Sequence, residues 1–150
     1  MATIINADTS DGLKLTSDTS GQIDFQSAGS TKATIDTSGN LKFDSGYGSV
    51  GTAYGCRAWV NFNGTGTAAI RESGNVSSIT DNGTGNFTIN FTTAMPDTNY
   101  SVAGVVGKGT VFLGLFTMAG TPTTSSVIIQ CEAVSSTNTD FAYTYVHIFR

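Results

Sequence analysis

Asn86-Phe87-Thr88-Ile89-Asn90-Phe91 is the cleanest alternation in the chain. Successive side chains of extended backbone point to opposite faces, so a period of two marks a half-buried strand. Phe87, Ile89 and Phe91 line one face of it, and Asn86, Thr88 and Asn90 the other. Turn chemistry bounds it on both sides, with Asp81-Asn82-Gly83-Thr84-Gly85 before and Met95-Pro96-Asp97 after. Asn and Asp bond neighbouring backbone and Gly accepts a positive φ, so such clusters reverse the chain.

The same grammar extends both ways. Upstream, Arg57-Ala-Trp59-Val-Asn-Phe62 runs into Asn63-Gly64, a hairpin signal. Thr67-Ala-Ala-Ile70-Arg71 and Val76-Ser-Ser-Ile79-Thr80 flank a turn at Glu72-Ser-Gly-Asn75, and downstream Tyr100-Ser-Val-Ala-Gly-Val-Val106 reads as another strand. Turns at spacings of roughly 8–12 residues are the pattern of an antiparallel β-sandwich or barrel, and a sandwich over residues 57–150 is the expected fold.

The last three strands differ from these. Val111-Phe112-Leu113-Gly114-Leu115-Phe116-Thr117-Met118 is apolar on both faces, as is the middle of Val127-Ile128-Ile129-Gln130-Cys131. The final segment puts Phe141, Tyr143, Tyr145, His147 and Phe149 on one face and Ala142, Thr144, Val146 and Ile148 on the other. A two-faced apolar strand needs cover on both sides. A sandwich this small has little material for the second cover, and a symmetric copy would supply it.

The first third of the chain carries a degenerate repeat: Asp8-Thr-Ser-Asp-Gly-Leu13-Lys-Leu15, Asp18-Thr-Ser-Gly-Gln-Ile23-Asp-Phe25 and Asp36-Thr-Ser-Gly-Asn-Leu41-Lys-Phe43. Each unit is a turn followed by a short alternating strand, and Thr31-Lys-Ala-Thr-Ile35 reads as a further strand. Such strands are too thinly apolar to offset the conformational entropy of ordering them. Residues 1–45 are therefore expected to form an attachment or oligomerisation module that does not fold alone. Residues 46–56, with four glycines between Gly46 and Gly55, read as a connection.

Composition narrows the function. Of 150 residues only 12% are charged, and 24 threonines and 16 serines do much of the surface work instead. Best helix formers are scarce, with five Leu, two Glu and four Lys. The net charge of −4 argues against a nucleic-acid binder. No apolar run approaches a membrane span, and Met1-Ala-Thr-Ile-Ile-Asn6 lacks the regions of a secretory signal. No enzyme is expected: the one histidine, His147, has no nucleophile or triad context, and no phosphate- or dinucleotide-binding glycine motif occurs. No cofactor is expected either. Cys56 and Cys131 form no metal-ligand pair; a disulfide is allowed, but two small buried thiols are the plainer reading. Six Asn-x-Ser/Thr triplets are what so much Ser and Thr supplies by chance.

Residues 56–97 resemble the C-terminal domain of bacteriophage tail fibres and related virion proteins, especially of phages of marine bacteria and cyanobacteria. The stretches that carry the likeness are Cys56-Arg-Ala-Trp59-Val-Asn-Phe62-Asn-Gly-Thr-Gly-Thr67, Ile70-Arg71, Gly74-Asn-Val-Ser-Ser-Ile-Thr-Asp-Asn-Gly-Thr-Gly85 and Phe87-Thr-Ile-Asn-Phe-Thr-Thr-Ala-Met-Pro-Asp97. The aromatic last strand and the Asp-Thr-Ser-Gly units fit the same likeness. It implies a homotrimeric structural protein of the virion, assembled in the host cytoplasm. A short tail fibre or fibre tip that meets the host surface is the first expectation. A capsid decoration or head fibre protein, and a carbohydrate-binding module, are the alternatives. Expected partners are further copies of the chain, other virion proteins, and a host glycan or protein.

Expected interface residues are Phe112, Leu113, Phe116, Phe141, Tyr143, Tyr145 and Phe149. Tyr145→Asp is expected to break assembly and Thr144→Asp, on the neighbouring face, to be tolerated much better. Exposed aromatics and Asn or Asp in loops suit a carbohydrate receptor, and Tyr47, Tyr54 and Tyr100 are the candidate contacts. A threefold axis would gather three copies of His147, a set able to hold zinc, iron or an anion. A packed histidine is the plainer reading, since Tyr145 stands where a His-x-His pair would need its first imidazole.

Overall fold

The structure, a computed structural model, describes residues 20–46, 50–109 and 114–150. Among the described residues the fold is all-β: twelve strands in three four-stranded antiparallel sheets, and no helix. None of these residues forms a helix long and apolar enough to cross a membrane. The chain divides into two compact units, Met1–Ala53 and Tyr54–Arg150.

The first unit is a single sheet in the order β1 (Ile23–Ser27), β2 (Ser30–Ile35), β3 (Leu41–Phe43) and β4 (Gly51–Thr52). Ala28 and Gly29, both at positive φ, close the β1–β2 hairpin in two residues, the geometry that matches strand twist. The Asp36-Thr-Ser-Gly-Asn unit makes the next turn. Asp36 accepts the backbone N–H groups of Ser38 (3.0 Å) and Asn40 (2.9 Å) and pairs with Lys42 at 3.0 Å. The second and third repeats thus deliver β1 and β3, while the first, Asp8 to Leu15, lies outside the described residues. The expected connection over 46–56 is not all connection: Gly51–Thr52 pairs with β3, and Cys56 opens the next strand.

In the second unit two sheets pack face to face. One runs β6 (Ala69–Gly74), β5 (Cys56–Asn63), β12 (Tyr143–Phe149), β9 (Ser101–Gly107); the other runs β7 (Val76–Gly83), β8 (Asn86–Phe91), β11 (Ser126–Ala133), β10 (Gly114–Met118). The core lies between them. Ala58, Val60, Phe62, Val106, Val146 and Ile148 from the first sheet meet Phe87, Ile89, Val127, Ile129 and Cys131 from the second. The Phe62 and Phe87 rings cross edge to face, 5.2 Å between centroids. Asn75, at φ 58, carries the chain from one sheet to the other. Its amide holds that corner by donating to Arg57 O and Thr93 O, both at 3.1 Å, and accepting from Thr93 N at 2.7 Å.

Strand directions sort the loops into two ends. Tyr54, Asn75, Arg150 and residues 92–100 and 119–125 gather at one end. Residues 64–68, 84–85 and 134–142 gather at the other, where Gly64 N donates to Phe141 O and Gly85 N to Asp140. The cysteines divide as well. Cys131 is buried in the core, and burial, helped by the Asp140 charge, pushes its thiol up to about 12. Cys56 is exposed, which corrects the expectation of two buried thiols: it is the first residue of β5, beyond the reach of the opposing sheet.

Candidate functional site

β12 is covered on one face only. Thr144, Val146 and Ile148 are fully buried toward the core, while Tyr143, Tyr145, His147 and Phe149 point out of the sandwich. Pairing with β5 sets this orientation: Thr144, Val146 and Ile148 stand opposite Phe62, Val60 and Ala58, the core-facing residues of that strand.

Register assembles the outward side chains into rows across the sheet. His147 lies between Trp59 and Ala103, and Tyr145 between Asn61 and Val105. Trp59 is 37%, Phe149 39% and Val105 49% exposed, so a band of large apolar side chains crosses the sheet half in water. The Tyr143 and Tyr145 rings lie nearly parallel, 13° and 6.5 Å apart. The Arg71 guanidinium sits 4.6 Å over the Tyr143 ring and donates to Asn61 Oδ1 (3.3 Å) and Ala142 O (2.5 Å). Gly74 pairs with Trp59, and a Cβ there would strike the indole, so glycine lets the ring lie flat on the sheet. The result is an aromatic, hydrogen-bond-capable surface of the composition that protein interfaces favour.

Of the expected interface residues, Tyr143, Tyr145 and Phe149 belong to this face. Phe112 and Leu113 lie outside the described residues. Phe141 is corrected: it precedes β12, so strand alternation does not govern it, and it is 2% exposed within the core. Phe116 is also corrected. It sits opposite Cys131, and its ring fills the space a Cβ on Gly104 would need, so it packs against the core. The expected tolerance of Thr144→Asp is overturned too, because Thr144 is a core residue whose hydroxyl has no hydrogen-bond partner. Trp59 and Val105 were missed as face residues, although alternation with Ala58, Val60 and Phe62 was there to place Trp59.

The receptor candidates part company. Tyr47 lies outside the described residues. Tyr100 is corrected: its ring is buried against Phe91, and its hydroxyl stands 2.9 Å from Thr123 O and 3.0 Å from Ser126 O, tying two loops together. Burial raises its phenol above the ordinary value. Tyr54 is largely exposed and lines an open depression of about 330 Å³ with Asn99, Ser101, Phe149 and Arg150. Arg150 is clamped there by Asp97, Nε to Oδ1 at 3.0 Å and Nη2 to Oδ2 at 2.5 Å. That pairing, with the Asn99 N–H, holds Asp97 below the ordinary carboxylate range and raises Arg150. A guanidinium so neutralised has little charge left for an anion.

Among the described residues no group of three or more His, Cys, Asp and Glu side chains gathers as a metal site. Glu72 and Glu132 stand on different sheets. No family model, curated protein or solved structure matches the chain.

Proposed function

We propose that this protein is a structural component of a bacteriophage virion, a short homotrimeric tail fibre or fibre tip. The single observation that carries the reading is the outward, largely aromatic band of β12 and its neighbours: Trp59, Val105 and Phe149, half in water, with the partly buried Tyr145 among them. Covering a large apolar side chain fully is worth about 1.5–3 kcal/mol, so covering these half-exposed ones gives roughly 1 kcal/mol each. Repeated in every copy, that holds a closed ring of chains together. The fibre-like sequence of residues 56–97 supplies the virion context and the threefold state.

In this reading the seam is the β6-β5-β12-β9 sheet. The loops at 64–68, 84–85 and 134–142 lie at the end away from Tyr54, where the chain enters the unit, and they meet the host surface. They are rich in Thr, Asn, Ser and Gly, side chains and backbone suited to hydrogen bonding with glycan hydroxyls or protein loops. Tyr54, at the entering end, is assigned to assembly rather than to receptor contact.

Sedimentation equilibrium at micromolar concentration tests the assembly: the expected mass is three times 15.5 kDa. A stable monomer overturns the fibre reading and favours a carbohydrate-binding module. Cryo-electron microscopy of virions carrying the chain tests the location. Density at the tail tip is the expected result, and density on the capsid lattice makes it a decoration protein.

A further inference from the structure

The first unit holds a sheet with one bare side. Ile23, Ile35 and Leu41 stand in register across β1, β2 and β3, and so do Phe25, Ala33 and Phe43. Alternation puts all six on the same face. Phe25 is 43%, Leu41 48% and Phe43 44% exposed, and Thr34, on the opposite face, is the unit's only buried side chain among the described residues. The opposite face is satisfied internally: Thr34 donates to Asp24 at 2.7 Å and Lys42 pairs with Asp36. The remaining lysine of these strands, Lys32, pairs with Asp44 at 3.1 Å.

A sheet needs its apolar face covered to exist in water. The size of this face selects the partner. Six half-exposed side chains fall well short of the roughly 800 Å² per partner that a stable independent interface buries. A foreign protein arriving from solution would have too little to hold. A copy already tethered by its second unit is present at roughly millimolar effective concentration, where a weak contact suffices. None of the six residues is charged, so like meets like without stranding an ion.

We infer that the face formed by Ile23, Phe25, Ala33, Ile35, Leu41 and Phe43 is a second self-association surface, covered by the same face of other copies of this chain. The inference rests on the reading above that the second units associate.

Amide hydrogen exchange on the full chain, read beside native mass spectrometry, separates the two. In the assembled wild type the amides of residues 23–43 are protected. Dilution to the monomer loses that protection by about tenfold or more, while the amides of β8 and β12 stay protected. Phe43→Asp keeps the oligomer mass, held by the second unit, and loses the same protection at every concentration. Protection of residues 23–43 that survives dilution overturns the inference, because the sheet is then covered within its own chain. An oligomer in which these amides exchange freely overturns it too, and leaves the face to another protein. A wild-type chain that is monomeric at every concentration overturns the underlying reading, and this inference with it.

Discussion

The two outer faces of the sandwich are built on the same alternation and filled in opposite ways. On the β7-β8 side, short polar side chains bond one another across the strands. Asn90 donates to the Ser78 hydroxyl at 3.1 Å and to the Thr80 hydroxyl at 3.0 Å, and Asn82 to the Thr88 hydroxyl at 2.8 Å and Asn86 Oδ1 at 3.0 Å. On the β5-β12-β9 side stand Trp59, Tyr145, His147, Phe149 and Val105. Along β7 and β8 the first face pairs its polar side chains with one another, and on β11 of the same sheet Gln130 donates to Glu132 at 2.5 Å. On the second, Arg71 donates to Asn61 and Ala142, but Trp59, Phe149 and Val105 stay 37%, 39% and 49% exposed and lose free energy while wet. Low overall charge therefore has two sources: a surface hydrated by neutral ladders, and a surface that the proposed assembly takes out of water.

The largest effect is expected where β12 turns inward. Thr144→Asp places a carboxylate among Phe62, Val106 and their neighbours with nothing to pair it, a cost of about 3–5 kcal/mol against a total stability of roughly 5–15. Thermal unfolding followed by circular dichroism should show the transition of the second unit lost or strongly lowered. An unchanged midpoint would mean that β12 presents its other face to the core.

The next effect sharpens the contrast between the outer faces. Tyr145→Asp should leave the sandwich folded and abolish the proposed oligomer in native mass spectra, since each copy would bring a carboxylate to the proposed seam. Thr88→Asp, on the polar ladder, should leave the mass unchanged and shift stability by no more than about 0.5 kcal/mol. If Thr88→Asp dissociates the oligomer and Tyr145→Asp does not, the two faces have been assigned the wrong way round.

A smaller gain is expected at the same core position. The buried Thr144 hydroxyl lacks a partner. Thr144→Val, nearly the same shape, removes that desolvated group and should stabilise by about 1 kcal/mol, raising the melting midpoint by roughly 4–8 °C for a unit of this size. A lower midpoint would show that the hydroxyl is satisfied by water.

Acid should have the mildest effect, and it reaches both units. The Asn40 N–H and Lys42 hold Asp36 well below the ordinary carboxylate range; the Gly46 N–H and Lys32 do so for Asp44, and Arg150 and the Asn99 N–H for Asp97. A carboxyl lowered by folding adds stability above its unfolded value, about 3.9, and loses it as pH falls through the folded value. These three groups thus contribute a constant term from pH 7 to about 5 and a declining one below about 4. Asp97→Asn should remove the second unit's share of that decline in urea titrations at pH 3, and an unaltered decline there would show that Asp97 has no part in it.

Much of this molecule was legible residue by residue. The alternation at Asn86–Phe91 predicts a strand with Phe87, Ile89 and Phe91 inward, and the structure buries all three. Asp36-Thr-Ser-Gly is turn chemistry, and it makes a turn. Tyr143, Tyr145, His147 and Phe149 share a face because extended backbone has a period of two, whatever the rest of the chain does. Local chemistry suffices for these because each depends on neighbours only a few positions away. Which of β12's two apolar faces would be inside did not follow, because both carry enough hydrophobic surface to be core. That was settled by register with β5, more than eighty residues earlier, whose Ala58, Val60 and Phe62 already face the opposing sheet and so draw Ile148, Val146 and Thr144 in beside them. Phe141 and Tyr100 were decided in the same way, by loops that only tertiary packing brings over them. Alternation tells which side chains travel together; only the partner strand tells which way they face.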